Sequence, residues 1–354
     1  MRRSTLAFVF RTAKSFELRA KSQEPRAKNL PTSRFEPTRL QCLTMKLLLG
    51  RNKIRSGFPV WLRRTAASAV IILIVVVGLA VLNNNVSIAR PSRSQFVESL
   101  DQTLARSTDW MLRQYPAAGL TSEGVALISN ASLAHMVVDC GSISTDPRMN
   151  ALGSRFVEAW RGQPGPLARI VDPSLPSAPI RADELLTLEE YQRWIMHGAA
   201  PDEVPLSAKE LENMFSPNKH RTGTATHQLF ALYFYRRSKG SSADLEQLMN
   251  VIEQRIASEA VVDFRVTDLY LQRIAFLLAA GRPDLVRPRW VERALAAQQP
   301  DGGWLATWHG WSRTPYRFMF ENKPPMIAHS TAQGVWIACM LKYRYPDWVD
   351  RNYK

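Results

Sequence analysis

The stretch that decides the predicted fold is Gln298-Gln299-Pro300-Asp301-Gly302-Gly303-Trp304, followed by His329-Ser330-Thr331-Ala332-Gln333-Gly334-Val335-Trp336. One helix ends before Asp301, the chain turns at Asp-Gly-Gly, and Trp304 is expected to fill the turn. The helix that then begins is apolar on all sides, which is typical of a helix buried in a core. We interpret the stretch as the junction between two members of a helix pair.

The same two kinds of helix alternate upstream of this junction. One kind is apolar all round, and the other has a single apolar face with charges opposite. The apolar kind begins near residues spaced by 48, 44, 41 and 61 positions, namely His135, Asp183, His227, Asp268 and His329. A loose helix-pair period of this size is typical of a solenoid or a closed ring. In a ring, the apolar helices form an inner barrel and the amphipathic helices surround it.

The motif Gln298-x-x-Asp301-Gly302-Gly303-Trp304 resembles the QW-type repeat of the terpenoid cyclase and protein prenyltransferase families, and residues 329–341 are similar to the inner helix that follows it there. The resemblance implies an all-α fold, an α/α toroid of about five to six helix pairs. It extends back to about residue 220 by pattern only. The sequence has no DxDD acid motif, no second cyclase domain and no zinc-binding Asp/Cys/His trio at prenyltransferase spacing. Neither family's chemistry is therefore carried over.

Charge is distributed very unevenly along the chain. Residues 1–64 hold 16 Lys/Arg and three acids, whereas residues 65–354 hold 30 Lys/Arg and 28 acids. The basicity belongs to the N-terminal segment, and the large remainder is nearly neutral. Nucleic-acid binding needs a concentrated basic surface, so we expect no nucleic acid as the partner of the folded domain.

A membrane span is predicted ahead of the large domain. Residues 66–82 are 17 uncharged, mostly apolar residues, and residues 83–86 extend the run without charge. Basic residues flank its N-terminal side, so the positive-inside rule keeps that side in the cytoplasm. A cleaved signal peptide is the rival interpretation, but its apolar region is usually shorter. The expected organisation is a basic cytoplasmic segment over residues 1–64, a signal anchor over residues 65–86 and an exported domain over residues 87–354. Residues 87–94 are expected to be a polar linker.

The compartment and the true start of the chain follow from the same segment. In a bacterium, this topology places the domain in the periplasm, anchored to the inner membrane by a single pass. Residues 1–44 are rich in Arg and Ser, and are interpreted as a disordered tail, a transit segment or an upstream extension that is not translated. Met45 would be a natural start, because a short basic stub separates it from the span.

Four polar residues at the starts of the apolar helices are the candidate catalytic residues: His135, His227, Asp268 and His329. Inner helices of a toroid run parallel, so these residues are expected to meet at one end of the barrel. Helix N-termini also supply unpaired N–H groups and partial positive charge there. Such a cluster could bind a metal or act as acid and base. The alternative is that each residue only caps its own helix.

The insertion between Trp304 and His329 is the second candidate region because it is dense in aromatic residues. The candidate substrate-binding residues are Trp308, Trp311, Tyr316 and Glu321. In an exported protein, such aromatics suit stacking on sugar rings, and Glu321 with Asp268 would supply the two carboxylates of glycosidic cleavage. The alternative is a lid that only closes the ring. Trp304 itself is interpreted as a structural plug.

Cysteine usage indicates neither a zinc site nor a disulfide scaffold, since the three cysteines are Cys42, Cys140 and Cys339. Cys140 and Cys339 are expected to be buried thiols at different depths. No cofactor is assigned, and a metal is left open. Two functions remain: a membrane-anchored domain that binds or processes a cell-envelope glycan or lipid-linked intermediate, or a non-catalytic scaffold that holds partner proteins at the membrane.

Overall fold

The computed structural model describes residues 60–87, 89–114, 124, 130–217, 224–305 and 328–354. Within these ranges the chain forms fourteen α-helices and no β-strand. The expected all-α class is therefore confirmed for this part of the chain. Contacts divide it into two units, residues 60–79 and residues 80–354.

The helices range in length from four to 26 residues. They are α1 Val60–Asn85, α2 Arg93–Arg113, α3 Ala131–Ile143, α4 Pro147–Arg161, α5 Pro166–Val171, α6 Ala182–Leu185, α7 Glu190–Ala199, α8 Ala208–Met214, α9 Thr224–Lys239, α10 Ala243–Val262, α11 Asp268–Ala279, α12 Pro288–Ala296, α13 Ala328–Cys339 and α14 Pro346–Asn352. A 3₁₀ turn covers Pro283–Leu285, and a π-helical turn covers Met340–Arg344.

Among the described helices, α1 alone is long and apolar enough to cross a membrane. Its segment Thr65–Asn85 has 21 residues, a mean hydropathy of 2.8 and no burial against the rest of the protein across its most apolar window. A bilayer core needs about 20 apolar residues, so the length and composition match a span. The last six residues of α1 belong to the larger unit.

Six helices of the larger unit contact one another in sequence around a circuit. Helix α3 packs on α13, α13 on α11, α11 on α9, α9 on α7, α7 on α5, and α5 returns to α3. Two of these helices are buried almost completely: in α11 every residue from Tyr270 to Ala279 is buried, and in α13 all but His329. The prediction of helices that are buried on all sides is confirmed for these two.

The neighbouring helices α7, α9, α11 and α13 run in the same direction, because the residues in contact advance together along each pair. In α7 and α9, Tyr191 meets His227 at 4.3 Å between ring centroids, and His197 meets Tyr235 at 6.0 Å. In α9 and α11, Phe230 stacks on Phe276 at 4.3 Å. The N-termini of these four helices therefore lie at one end of the unit.

Amphipathic helices cover this group. Helices α2, α4, α8, α10 and α12 each contact one or more of the six helices. Helix α10 buries one face, consisting of Leu245, Met249, Ile252, Glu253, Ile256 and Ala260. The expected alternation of two helix kinds is thus present in the described chain.

The Asp-Gly-Gly-Trp junction is held from three directions. Gly302 has φ +100, a left-handed backbone that suits glycine, and its Cα lies so close to α2 that an added Cβ would be 2.1 Å from Arg106 O. Gln298 donates to Thr103 O and Gly302 O, both at 3.0 Å. Trp304 is 1% exposed, and its Nε1 donates to Ala294 O at 2.8 Å. The prediction that Trp304 is a structural plug is confirmed.

The apolar helix expected to begin near Asp183 does not form as one continuous element. The chain forms the short helix α6, breaks, and begins again as α7 at Glu190. Leu186, which looked like part of an apolar face, is 82% exposed. Glu189 and Gln192 form a capping box that starts α7, so the inner helix begins seven residues later than Asp183.

The expected linker over residues 87–94 is instead fixed in place at several points. Ser87 donates to Glu292 at 2.7 Å, and Arg90 contacts Asn352 O at 3.5 Å. Ser92 begins α2 with a capping box that includes Gln95. The chain therefore enters the domain almost directly from the end of α1.

Candidate functional site

An aspartate and a histidine from neighbouring helices meet at the N-terminal end of this helix group. His329 Nδ1 lies 2.7 Å from Asp268 Oδ1, and Ser330 Oγ donates to the same oxygen at 3.1 Å. Asp268 is the first residue of α11, where the helix dipole favours a carboxylate. Its two described side-chain partners come from α13, so Asp268 joins two helices rather than only capping its own.

The carboxylate controls the ionisation of His329. Burial by itself would lower the pKa of His329, but the charge and the hydrogen bond of Asp268 outweigh burial and raise the pKa above its usual value. The two side chains remain partly accessible, at 36% exposed for His329 and 31% for Asp268. The pair can therefore exchange a proton with a bound molecule.

A buried glutamine lies one helical turn below each member of the pair. Gln333 follows His329 by four residues, is fully buried, and places its Nε2 at 3.5 Å from His329 Nε2. Its Oε1 has no hydrogen-bond partner among the described residues. Rotation of this amide would let it donate to a neutral imidazole or accept from an imidazolium.

Gln272, four residues after Asp268, connects the pair to α9. Its Oε1 accepts from Thr226 at 2.7 Å, and its Nε2 lies 3.5 Å from His227 Nε2. Tyr191 of α7 packs on the His227 ring. We name the six residues Asp268, His329, Ser330, Gln333, Gln272 and His227 the helix-start cluster. It contains three of the four candidate catalytic residues.

His135 lies elsewhere. Helix α3 begins at Ala131, so His135 is already one turn inside it, and the ring faces Trp336 rather than His329. Its Nδ1 lies 3.5 Å from both Val171 O and Arg237 Nη1, and its Nε2 has no partner in the described part of the chain. Ring centroids between 5.0 and 6.1 Å surround it, from Phe230, Tyr233, Phe234 and Trp336.

The surroundings of His135 oppose protonation. Burial and, after it, the charge of Arg237 lower the pKa of His135 to about 4. His135 is therefore neutral at physiological pH, whereas His329 has a raised pKa. The two histidines are chemically unlike, and the geometry does not bring His135 into the helix-start cluster.

The candidate substrate-binding residues Trp308, Trp311, Tyr316 and Glu321 lie outside the described residues. The described residues on either side of them do approach the cluster. Trp304 N donates to Thr331 Oγ1 at 3.0 Å, and α13 begins at Ala328. The insertion therefore leaves and re-enters the described chain next to His329.

Metal and thiol chemistry receive no support from the described part of the chain. No group of three or more His, Cys, Asp or Glu side chains is placed there to hold a metal ion. Cys140 and Cys339 are both buried and free, as expected, with Cys339 Sγ 3.6 Å from Cys140 O. Burial and the neighbouring thiol raise the pKa of Cys140, which keeps it protonated and unreactive.

Sequence reasoning missed the two glutamines, although a signal for them is present. Gln272 and Gln333 each stand four residues after a candidate residue, and that spacing places two side chains on the same helix face. Amide side chains in an otherwise apolar helix are costly unless they have a partner, so they mark a polar site.

Comparison with known proteins does not add to this geometry. No protein-family model, no curated protein and no solved structure matches the chain.

Proposed function

We propose that this protein is a single-pass membrane protein with a cytoplasmic N-terminus and an exported α/α-toroid domain, and that the domain binds or processes a cell-envelope glycan or lipid-linked intermediate. The membrane assignment is supported by the length and apolar surface of α1. The orientation is supported by the excess of basic residues before the span. The toroid is supported by the circuit of contacts from α3 through α13, α11, α9, α7 and α5 back to α3.

The observation that carries the functional proposal is the contact between His329 and Asp268 at 2.7 Å. A carboxylate that accepts from Nδ1 fixes the imidazole and leaves Nε2 to give or take a proton. Gln333 lies beside that Nε2 and matches either protonation state. The cluster thus combines an acid–base group with polar groups that can bind hydroxyls.

The polar groups of the cluster favour an uncharged hydroxyl-bearing ligand. Its side chains are two amides, two imidazoles, one hydroxyl and one carboxylate, with no Lys or Arg among the six residues. A phosphate placed directly beside Asp268 would be repelled. Trp308, Trp311, Tyr316 and Glu321 of the insertion are proposed to complete the binding surface, since aromatic rings stack well on sugars.

The alternative function, a scaffold for partner proteins, has one observation in its favour. Below the cluster the interior is filled, because Phe230, Phe276, Trp336 and His135 pack against one another. A filled interior is compatible with a scaffold and equally with a shallow binding site. The scaffold would not need the Asp268–His329 pair, and this difference makes the two functions separable.

The test uses full-length protein in proteoliposomes, incubated with extracted envelope lipids and glycans and analysed by mass spectrometry. The wild-type protein is expected to retain a ligand or to convert it to a product of different mass. The variants Asp268→Asn and His329→Gln are expected to do neither. Asp202→Asn is the matched control, since Asp202 is an exposed carboxylate paired with Lys239. Variants that retain the same molecules as wild type would contradict the acid–base proposal and favour the scaffold.

The orientation is tested separately by protease treatment of spheroplasts. Protease is expected to reach the domain and to spare the basic N-terminal segment. Protection of the domain with cleavage of the N-terminal segment would contradict the proposed topology.

A further inference from the structure

Three consecutive asparagines fasten the end of α1 to the domain. Asn84 is fully buried, donates to Ala260 O at 2.9 Å and accepts from Tyr270 Oη at 3.0 Å. Asn85 donates to Val261 O at 2.8 Å. Both contacted carbonyls lie in the last turn of α10, where the helix leaves its own carbonyls without partners. The asparagines therefore cap α10 from outside.

Arginines of α12 and the loop before it complete this attachment. Arg289 donates to both Asn83 O and Asn83 Oδ1 at 2.9 Å, and Arg287 donates to Asn85 Oδ1 at 3.0 Å. The Trp290 indole donates to the same Asn85 oxygen at 3.1 Å. All of these contacts lie within the unit formed by residues 80–354. The apolar run of α1 therefore ends at a structured site on the domain.

This attachment lies at the same end of the domain as the helix-start cluster. Tyr270, which bonds Asn84, follows Asp268 by only two residues on α11. Two residues advance a helix by about 3 Å and turn the side chain by about 200°, so the two residues lie at nearly one height on opposite sides of α11. A helix is about 10 Å across. The cluster is thus separated from the end of the span by little more than one helix.

The surface around the attachment has the chemistry of a membrane interface. Val86 is 52% exposed, Val262 is 61% exposed, and Leu82 of α1 is 58% exposed. Arg287 lies exposed beside them, where its charge can meet lipid phosphates, whereas Arg289 is paired with Glu292. Apolar side chains together with arginine are what a headgroup region accepts at the end of a span.

From these contacts we infer that the helix-start cluster lies next to the bilayer surface and takes its ligand from the membrane, as the uncharged hydroxyl-bearing head of an amphiphile. The inference rests on the proposed function and chooses a lipid-linked ligand over a soluble glycan. The lipid chains stay in the bilayer, and the head reaches Asp268 and His329. The surface formed by Val86, Val262, Arg287 and Arg289 faces the headgroups.

The location is tested by nuclear magnetic resonance of ¹⁵N-histidine in the full-length protein, held in nanodiscs of dioleoylphosphatidylcholine. A nitroxide lipid labelled at its headgroup broadens signals of nearby nuclei. His329 is the probe, and His197 is the internal control, because His197 contacts Tyr235, eight residues beyond His227 on α9. Eight residues place it about 12 Å further along the helix.

The lipid-borne nitroxide is expected to attenuate the His329 signal several-fold more than the His197 signal. When a water-soluble nitroxide at the same concentration replaces the lipid, the ratio of His329 attenuation to His197 attenuation is expected to be several-fold smaller. Equal attenuation of the two histidines by the lipid-borne nitroxide would overturn the location. Single substitutions of each histidine assign the signals.

The ligand class is tested in the same nanodiscs with two probes that share one head, dioleoylglycerol glucoside in the bilayer and methyl glucoside in solution. The His329 signal is expected to shift with the glycolipid and to stay unmoved by methyl glucoside at the same total concentration. An equal response to both probes, or no response to the glycolipid, overturns the membrane-borne ligand. Loss of ligand in Asp268→Asn and His329→Gln tests the proposed function independently. A soluble glycan bound at the cluster would pass that variant test but would fail the comparison of the two glucosides.

Discussion

Helix α13 meets two carboxylates, and the two contacts are very different. Near its start, Asp268 of α11 bonds His329. Towards its end, Asp139 of α3 accepts from Trp336 Nε1 at 2.6 Å and from Arg344 Nη2 at 2.8 Å. Asp268 is 31% exposed and Asp139 only 13%. One carboxylate is open to solvent and a ligand, and the other is enclosed.

The difference lies in the partners. An indole N–H and a guanidinium keep their protons at any physiological pH, so Asp139 forms a permanent link between the first and last helices of the circuit. An imidazole can lose its proton, so the link at Asp268 is exchangeable. Whether the hydrogen-bond donor can lose its proton therefore decides the role of each carboxylate here. Asp139 only stabilises the fold, whereas Asp268 can also take part in proton transfer.

The largest expected effect comes from neutralising the enclosed carboxylate. Asp139→Asn removes the charge opposite Arg344 and is expected to cost about 3 kcal/mol, since the carboxylate is mostly enclosed and the change leaves the part-buried Arg344 without its charge partner. Urea denaturation followed by circular dichroism measures the change. Asp268→Asn is the matched variant and is expected to cost about 1 kcal/mol or less, because its pair is partly exposed. Similar losses of unfolding free energy in both variants would contradict the proposed difference between the two carboxylates.

The next effect concerns His135, which packs on Trp336 between the two contacts. Its folded-state pKa of about 4 lies below the ordinary 6.5, so folding favours the neutral form. Stability is complete above pH 6.5 and falls as pH drops towards 4, by up to roughly 3 kcal/mol. His135→Phe keeps an aromatic ring and is expected to remove this part of the pH dependence. Parallel stability curves for the variant and wild type between pH 4 and 6.5 would contradict the assignment.

A smaller loss is expected midway along α13, at Gly334. A Cβ there would lie 2.6 Å from the indole of the buried Trp304. Gly334→Ala is therefore expected to cost about 2 kcal/mol in denaturation experiments, because overpacking forces the indole to move. Gly162→Ala is the control, since a Cβ at Gly162 meets nothing within 4 Å. Equal stability of the two variants would show that Trp304 does not pack tightly on α13.

The smallest effect on stability, and the most informative about chemistry, is expected from the titration of His329. Asp268→Asn removes the charge that raises the pKa of His329 and leaves the burial that lowers it, so the pKa is expected to fall. Because the raised pKa means that the folded state binds the proton more tightly, the pair stabilises the fold below pH 6.5. That contribution disappears as pH rises through the folded-state pKa.

¹⁵N titration of the histidine signals measures this change, with His197 as the internal reference. A His329 pKa that is the same in wild type and Asp268→Asn would show that the carboxylate does not control the imidazole.

The sequence predicts the helix classes well because burial on all sides leaves a simple pattern. The predominantly apolar sequences of α11 and α13 could be recognised directly, as could the role of Trp304 under the Gly-Gly turn. The start of α7 was missed because Leu185, Leu186 and Leu188 imitate a helical face, while the side chain of Leu186 is solvated. The Glu189–Gln192 capping box was the better signal for that boundary.

The sequence could not predict how deeply each candidate site residue lies within the helix group. His135 and His329 look equivalent as residues near helix starts, yet His135 is a turn inside α3 and faces Arg237. The contacts of Asn83, Asn84 and Asn85 depend on carbonyls and arginines between 176 and 206 positions away. No local pattern encodes such a separation.

The C-terminal residues have a consequence for the order in which the chain acquires its structure. Arg93 N donates to the carbonyl of Lys354 at 3.1 Å, and Tyr353 stacks on Phe96 at 3.8 Å. Asp139 can form its ion pair with Arg344 only after a further 205 residues have been synthesised. During synthesis, α2 and α3 emerge long before their partners, and contacts between distant residues form slowly. Part of their apolar surface therefore remains uncovered until residues 344–354 have been made, so removal of these residues is expected to leave the newly made chain prone to aggregation.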